Sequence, residues 1–294
     1  MEYTNDKEEL KYCNENYNFE EAFSKDEILF QIFQFLNKDN IKIFSLCNKK
    51  INQFYCKQIK KLKINKEAQI LNIQKLMEKI DKYANIKNLD IASCKCIKDF
   101  TPLFKLERLE ILILNQTNIS DISFLENNKN IKELNLDYCR CIKDFTPISK
   151  LERLEILILS RTNISDISFL ENNKNIKELN LNFCKCITDF TPISKLERLE
   201  ILILSRTNIS DISFLENNKN IKKLYLAYCY NIKDFTPISK LERLEILILI
   251  GTNISDISFL ENNKNIKELY LAGCDKLIKK GNIFKRKDIE IYLL

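Results

Sequence analysis

The chain has 294 residues, 45% of them hydrophobic, with 47 basic and 41 acidic side chains that are interspersed, so it can bury a sizeable core and its net charge of +6 forms no basic stripe for nucleic acid. It has no histidine, and its three glycines at 251, 273 and 281 cannot form a phosphate-cradling loop or a nucleophile elbow. No apolar run reaches the ~18 residues of a membrane helix, and the start MEYTNDKEELKYCNEN lacks the basic and apolar regions of a signal peptide. The expectation is a non-enzymatic, intracellular protein, cytoplasmic or nuclear, with no cofactor, no metal, no nucleic-acid partner and no membrane.

Residues 1–22 are acidic and polar and read as a tail. In residues 23–58, Ser24 and Glu27 make a capping box, and Ile28, Leu29, Ile32, Phe33 and Leu36 follow at helical spacing. Asp39 or Asn40 can cap a second helix carrying Ile43, Phe44, Leu46 and Cys47. Such helices are too few for a core of their own and must pack on the rest of the chain or on another protein. The segments Asp26-Glu27-Ile28-Leu29, Ile32-Phe33-Gln34-Phe35-Leu36, Asp39 and Ser45-Leu46-Cys47-Asn48-Lys49-Lys50 resemble the F-box, with Ser24-Lys25 where that family has Leu-Pro and with no tryptophan. The resemblance implies that Ile28, Leu29, Ile32, Phe33, Leu36 and Leu46 dock a Skp-type adaptor of a cullin-RING ubiquitin ligase. The alternative is a helical cap over the first coil of the C-terminal repeats.

Residues 59–85 form the junction. Ile59 to Ile64 reads as a first, irregular repeat strand, and Ala68 to Tyr83 as an amphipathic helix through Ile70, Ile73, Leu76, Met77 and Ile80. Without Gly, Pro or Ser runs the junction is expected to be stiff.

From residue 86 to 294 the chain repeats. Nearly identical 45-residue units begin at Leu106, Leu151, Leu196 and Leu241, and each splits into halves of 22 and 23 residues sharing one pattern. That pattern is Leu109 xx Leu112 x Leu114 xx Thr117 x Ile119, then Ile131 xx Leu134 x Leu136 xx Cys139 xx Ile142. Nine starts fit it, from Ile86 to Ile266, and a tenth, Ile289 xx Tyr292 x Leu294, is cut off by the chain end. The pattern resembles the leucine-rich-repeat family. The resemblance implies an α/β solenoid, an arc with a parallel β-sheet on its concave face.

The physical reason lies in the strand, where alternation sends Leu112 and Leu114 into the coil and Ile111 and Ile113 outward. One coil cannot cover its leucines, so neighbouring coils share a core. Coils of 22 to 23 residues leave room only for short turns or 3₁₀ segments on the outer side. Pro102, Pro147, Pro192 and Pro237 recur just past an Asp-Phe-Thr step, where a fixed φ suits a turn. The lysine-rich ending (Lys276, Lys279, Lys280, Lys285, Arg286, Lys287) reads as the cap of the last coil.

The first three copies differ at Asn115/Ser160/Ser205, Gln116/Arg161/Arg206, Glu133/Glu178/Lys223, Asn135/Asn180/Tyr225, Asp137/Asn182/Ala227, Tyr138/Phe183/Tyr228, and at Arg140, Cys141, Lys143 and their counterparts. Most of these positions point outward from the strand or follow it. Drift on a free surface would also have touched Glu107, Arg108, Ser123, Asn127, Asn128 and Lys129, which are constant in those copies. The expected partner-binding face therefore comprises Ile111, Ile113, Asn135, Asp137, Tyr138, Ile156, Ile158, Arg161, Asn180, Phe183, Ile201, Ile203, Arg206, Tyr225, Tyr228, Ile246, Ile248 and Tyr270. Its outward isoleucines call for a partner, for mutual shielding, or only for their β propensity.

Cys94/Cys96, Cys139/Cys141 and Cys184/Cys186 form Cys-x-Cys pairs two coils apart, about 10 Å at the usual strand spacing. That is too far for one zinc or a disulfide, so Cys139 and its equivalents read as small buried residues. The Asn-Ile-Ser triplets at Asn118, Asn163, Asn208 and Asn253 match a glycosylation acceptor but read as repeat residues. Two functions stay open: a ligase receptor that captures a protein substrate on the repeats, or a leucine-rich-repeat scaffold with no ubiquitin role.

Overall fold

The structure is a computed structural model that describes residues 61–63, 84–278 and 282–293. The segment 23–58 with Ile28, Leu29, Ile32, Phe33, Leu36 and Leu46, and the helix expected over 68–83, lie outside the described residues. Among the described residues eleven three-residue strands form one parallel sheet in sequential order: β1 Lys61–Lys63, β2 Asn88–Asp90, β3 Ile111–Ile113, β4 Glu133–Asn135, β5 Ile156–Ile158, β6 Glu178–Asn180, β7 Ile201–Ile203, β8 Lys223–Tyr225, β9 Ile246–Ile248, β10 Glu268–Tyr270 and β11 Glu290–Tyr292. The irregular strand expected near Leu62 is therefore present and pairs with β2, Leu62 opposite Leu89.

Each strand from β2 to β10 buries its central leucine and leaves both flanking residues half-exposed. The register sets leucine on leucine, Leu112 opposite Leu134 and Leu157 opposite Leu179. The next inward residues, such as Leu114, Leu136 and Leu159, are fully buried, as are Leu125, Ile148 and Leu170 across the coil. All of them join one continuous core. A coil sandwiched by two others shares its apolar surface with both, which is why isolated repeats of this length do not fold.

Opposite the sheet every complete coil turns through a 3₁₀ segment, as coil length requires. Two kinds alternate, Thr-Pro-Ile-Ser-Lys as in Thr146–Lys150 and Ser-Phe-Leu-Glu-Asn as in Ser168–Asn172. The prolines occupy the first turn of the first kind, where no amide partner is needed. An aspartate two residues ahead of each segment of these two kinds accepts the amide of its first residue, Asp144 from Thr146 at 2.9 Å and Asp166 from Ser168 at 2.8 Å, whereas in the last segment, Asn282–Lys285, the Asn282 amide goes to Glu261 Oε1 at 3.1 Å. This Asx turn bends the chain into the 3₁₀ geometry.

Side chains also stitch coil to coil. Asn128 is fully buried and its Nδ2 donates to the carbonyls of Leu103 (3.2 Å) and Leu106 (2.9 Å) in the preceding coil. Asn173, Asn218 and Asn263 repeat the arrangement. Asn128 therefore does not belong with the outer positions: its constancy reflects burial and the two hydrogen bonds it adds to carbonyls that already accept the Leu106 and Leu109 amides within their own coil. Arg108 is exposed but likewise engaged, donating to Asn85 Oδ1 at 2.8 Å, as Arg153 does to Asn130.

The end of the repeats differs from the sequence pattern by one residue. The pattern Ile289 xx Tyr292 x Leu294 would point Tyr292 inward, but Ile291 pairs with Leu269 and Tyr292 with Tyr270. The last coil step is 22 residues where the alternation calls for 23, so the aromatic ring lies on the sheet face. There it stacks on Tyr270 with centroids 4.3 Å apart and planes 5° from parallel.

Candidate functional site

The sheet face is built from three columns that run across the strands. The first alternates isoleucine with charge: Ile111, Glu133, Ile156, Glu178, Ile201, Lys223, Ile246, Glu268. The second, two residues on, reads Ile113, Asn135, Ile158, Asn180, Ile203, Tyr225, Ile248, Tyr270. Every isoleucine is half-buried rather than open, with a polar or aromatic neighbour on each side. Mutual shielding thus accounts for part of the apolar row. Tyr225 lies deep enough that burial, with Glu268 and Glu178 nearby, pushes its hydroxyl pKa up.

The third column lies just past the strands and was not legible as such in the sequence. Ser93, Gln116, Tyr138, Arg161, Phe183, Arg206 and Tyr228 all have positive φ, between 57° and 62°, and Gly251 and Gly273 continue the series. The amide of each still bonds to the next coil, Tyr138 to the Ser160 carbonyl and Arg206 to the Ala227 carbonyl, both at 2.8 Å. The left-handed residue then swings the chain inward, so that Thr117, Cys139, Thr162 and Cys184 enter the interior. For a residue with a Cβ this conformation costs roughly 1–2 kcal/mol. Glycine or asparagine would be the inexpensive choice, yet most copies carry arginine or an aromatic ring.

These side chains stack. Arg161 lies over Phe183 at 5.3 Å, and Arg206 over both Phe183 (4.9 Å) and Tyr228 (4.2 Å). At the other end Arg140 covers Tyr138 at 4.1 Å. Asp137 accepts from the Ser160 hydroxyl and lies 3.5 Å from Arg161. Its counterpart Asn182 leaves Arg206 without such a carboxylate. The sites expected from sequence therefore fall on one face: the isoleucines, Asn135, Asn180, Tyr225 and Tyr270 on the strands, and Asp137, Tyr138, Arg161, Phe183, Arg206 and Tyr228 along the adjoining edge. The face grades from acid and amide near Asn135 and Asp137 to aromatic and small residues near Tyr225, Ala227 and Tyr270.

The edge before the strands carries alternating charge. Glu110 accepts from Lys87 and Lys132, whose hydrogen bonds hold its carboxyl at about 2. Lys177 pairs with Glu155 and Lys222 with Glu200, each at 2.7 Å. In the interior, Cys139 lies 3.5 Å from the Thr117 hydroxyl and donates to the Leu114 carbonyl, and Cys184 and Cys229 repeat this with Thr162 and Thr207. Burial pushes all three thiols up, as it does Cys94, which reaches about 11. They are small core residues with the wrong pKa for a nucleophile. Cys141 and Cys186, by contrast, are exposed.

The family profile described as Leucine Rich repeats (2 copies) matches residues 107–150, 152–195 and 197–240. Among solved structures, an internalin of Listeria monocytogenes (InlF) is 26% identical, with a TM-score of 0.60 over 79% of each chain. A second internalin of that organism (InlC2) is 23% identical, with a TM-score of 0.50 over 73% of this chain and 81% of its own. The TLR13 of a TLR13–ssRNA13 complex shares the fold at 18% identity and a TM-score of 0.62, over 83% of this chain and 42% of its own. No curated protein matches the chain. Residues 107–240 carry leucine-rich repeats by this profile, and the repeats build a solenoid with one parallel sheet. Among the described residues no helix is long and apolar enough to cross a membrane.

Proposed function

We propose that this chain is a protein-interaction module whose sheet face binds a protein partner. The observation that carries the reading is the third column: arginine and aromatic side chains are kept at left-handed positions and stacked into order. Strained, pre-ordered side chains on a rigid face are what recognition requires, because their ordering entropy is lost on folding rather than on binding. Arginine and tyrosine are also the residues that dominate interface energies. The absence of histidine and the raised thiol pKa values fit a binding role better than a catalytic one.

The finer reading makes this module the substrate-recognition subunit of a cullin-RING, SCF-type ubiquitin ligase acting inside the cell. Its support is the sequence pattern of residues 23–58, with Ile28, Leu29, Ile32, Phe33, Leu36 and Leu46 as the adaptor-binding surface. The repeats would then hold a protein substrate while the ligase supplies the chemistry.

Two variants of the full chain test the two halves separately. Ile28→Asp with Phe33→Asp is expected to abolish capture of a Skp-type adaptor; adaptor binding that survives the change removes the ligase reading. Tyr225→Ala with Tyr228→Ala is expected to deplete the proteins cross-linked to the repeats, and an unaltered partner set removes the sheet-face reading.

A further inference from the structure

The fourth copy breaks the third column. Where the third copy has Ser205-Arg206, the fourth has Ile250-Gly251, and the next aromatic position is Gly273. Both glycines keep the left-handed backbone, with φ of +63° and +68°. The Tyr228 ring settles onto the first of them: a Cβ on Gly251 would lie 2.7 Å from Tyr228 Cδ1 and 2.8 Å from Cε1. With two side chains gone, a groove of about 450 Å³ opens beyond Tyr228, between Tyr230 and Ile250 on one side and Asp275 and Lys276 on the other.

Three features define what could fill it. Tyr230 is 58% exposed, the most exposed large hydrophobic among the described residues, and its ring stands 6.2 Å from Tyr228 at 56°. Asp275 is exposed and makes no hydrogen bond or ion pair among the described residues. The column itself alternates aromatic and arginine from Tyr138 to Tyr228, and the rung after Tyr228 falls to a cation that Gly251 does not supply.

We propose that this groove receives an arginine side chain of the protein partner, its guanidinium lying against the Tyr230 ring and pairing with the Asp275 carboxylate. A guanidinium stacks through its face and pairs through its edge at the same time, and it is more weakly hydrated than an ammonium, so arginine suits the site better than lysine. Lys276 carries the occupant's own sign and opposes it. The inference rests on the reading of the sheet face as a protein-binding surface and adds the chemistry of one contact.

The test titrates the full chain with acetyl-Gly-Arg-Gly-amide and with the same peptide carrying citrulline, the neutral isostere, by saturation-transfer NMR. The arginine peptide is expected to bind roughly tenfold more tightly, from one cation–π contact and one ion pair. Asp275→Asn should erase most of that preference and Lys276→Gln should increase it. Ile250→Ser with Gly251→Arg gives the fourth copy the pair that the third copy carries; the Tyr228 ring has to rotate off residue 251 to admit the new Cβ, after which the arginine should fill the groove and the peptide should be lost, with circular dichroism checking that the chain stays folded. Equal binding of both peptides, no binding of either, or indifference to the Ile250/Gly251 exchange overturns the inference. If that happens while Tyr225→Ala still depletes the cross-linked partners, only the arginine contact falls. A partner set indifferent to Tyr225 would remove the broader reading instead.

Discussion

On the side of the coils away from the sheet, several residues that never change between copies are tied to the backbone or to a side chain of the coil before. Asn173 holds two carbonyls of the coil before it, Asp144 and Asp166 start the 3₁₀ segments, and Arg153 clamps Asn130. On the sheet side the changing residues occupy the more demanding backbone, at φ near +60°. Constancy on the first side thus has a structural cause at some positions, while Glu107, Asn127 and Lys129 are exposed and constant without one. Variation on the second side cannot be put down to permissive positions. The contrast teaches that the sheet edge was free to take glycine and did so only in the fourth copy.

Substitutions on the two faces should have opposite consequences for folding and for binding. Leu157→Ala, in the shared core, should cost about 2–5 kcal/mol and destroy both faces together, seen as a lower urea midpoint by circular dichroism. Asn173→Ala should cost about 1–3 kcal/mol by removing two buried hydrogen bonds to the Ile148 and Leu151 carbonyls, which keep only their backbone donors, with no change in the partners captured by the folded fraction. Arg206→Gly should behave in the opposite sense. It relieves left-handed strain of about 1–2 kcal/mol and loses stacking on two rings at about 0.5–1 kcal/mol each, so thermal stability should hold while partner capture falls. A marked loss of stability would mean that the column serves folding rather than binding.

The smallest effect concerns acid. The Glu110 carboxyl is lowered from 4.5 to about 2 by its two lysines. A depressed carboxyl contributes stability above its unfolded pKa and loses it as pH falls towards the folded one. The slope of stability between about pH 4.5 and pH 2 should therefore flatten in Glu110→Gln, measured by urea unfolding across that range.

Much of this fold is written in the sequence because the repeat multiplies each signal. The inward leucines, the proline turns and the 3₁₀ outer side follow from coil length and alternation. Asn128 was misplaced because polar residues read as surface, and only the carbonyls of the coil before explain its burial. Left-handed backbone at Tyr138, Arg161 and Phe183 left no trace, since those residues do not favour it; Gly251 and Gly273 in the same column were the available clue. The shift at Tyr292 escaped because Ile289 also fits the pattern, and one residue fewer in the last coil decides which side chain turns inward.

We propose that the changing residues of the sheet face choose the partner. The most direct test replaces Lys223 and Tyr225 by the glutamate and asparagine that occupy the same register in the first copy, Glu133 and Asn135. Both pairs are flanked by isoleucines on either side, so the exchange should leave the melting temperature unchanged. Cross-linking followed by mass spectrometry on cells expressing each chain should then show partners lost or replaced. An identical partner set from an equally stable chain would contradict the account.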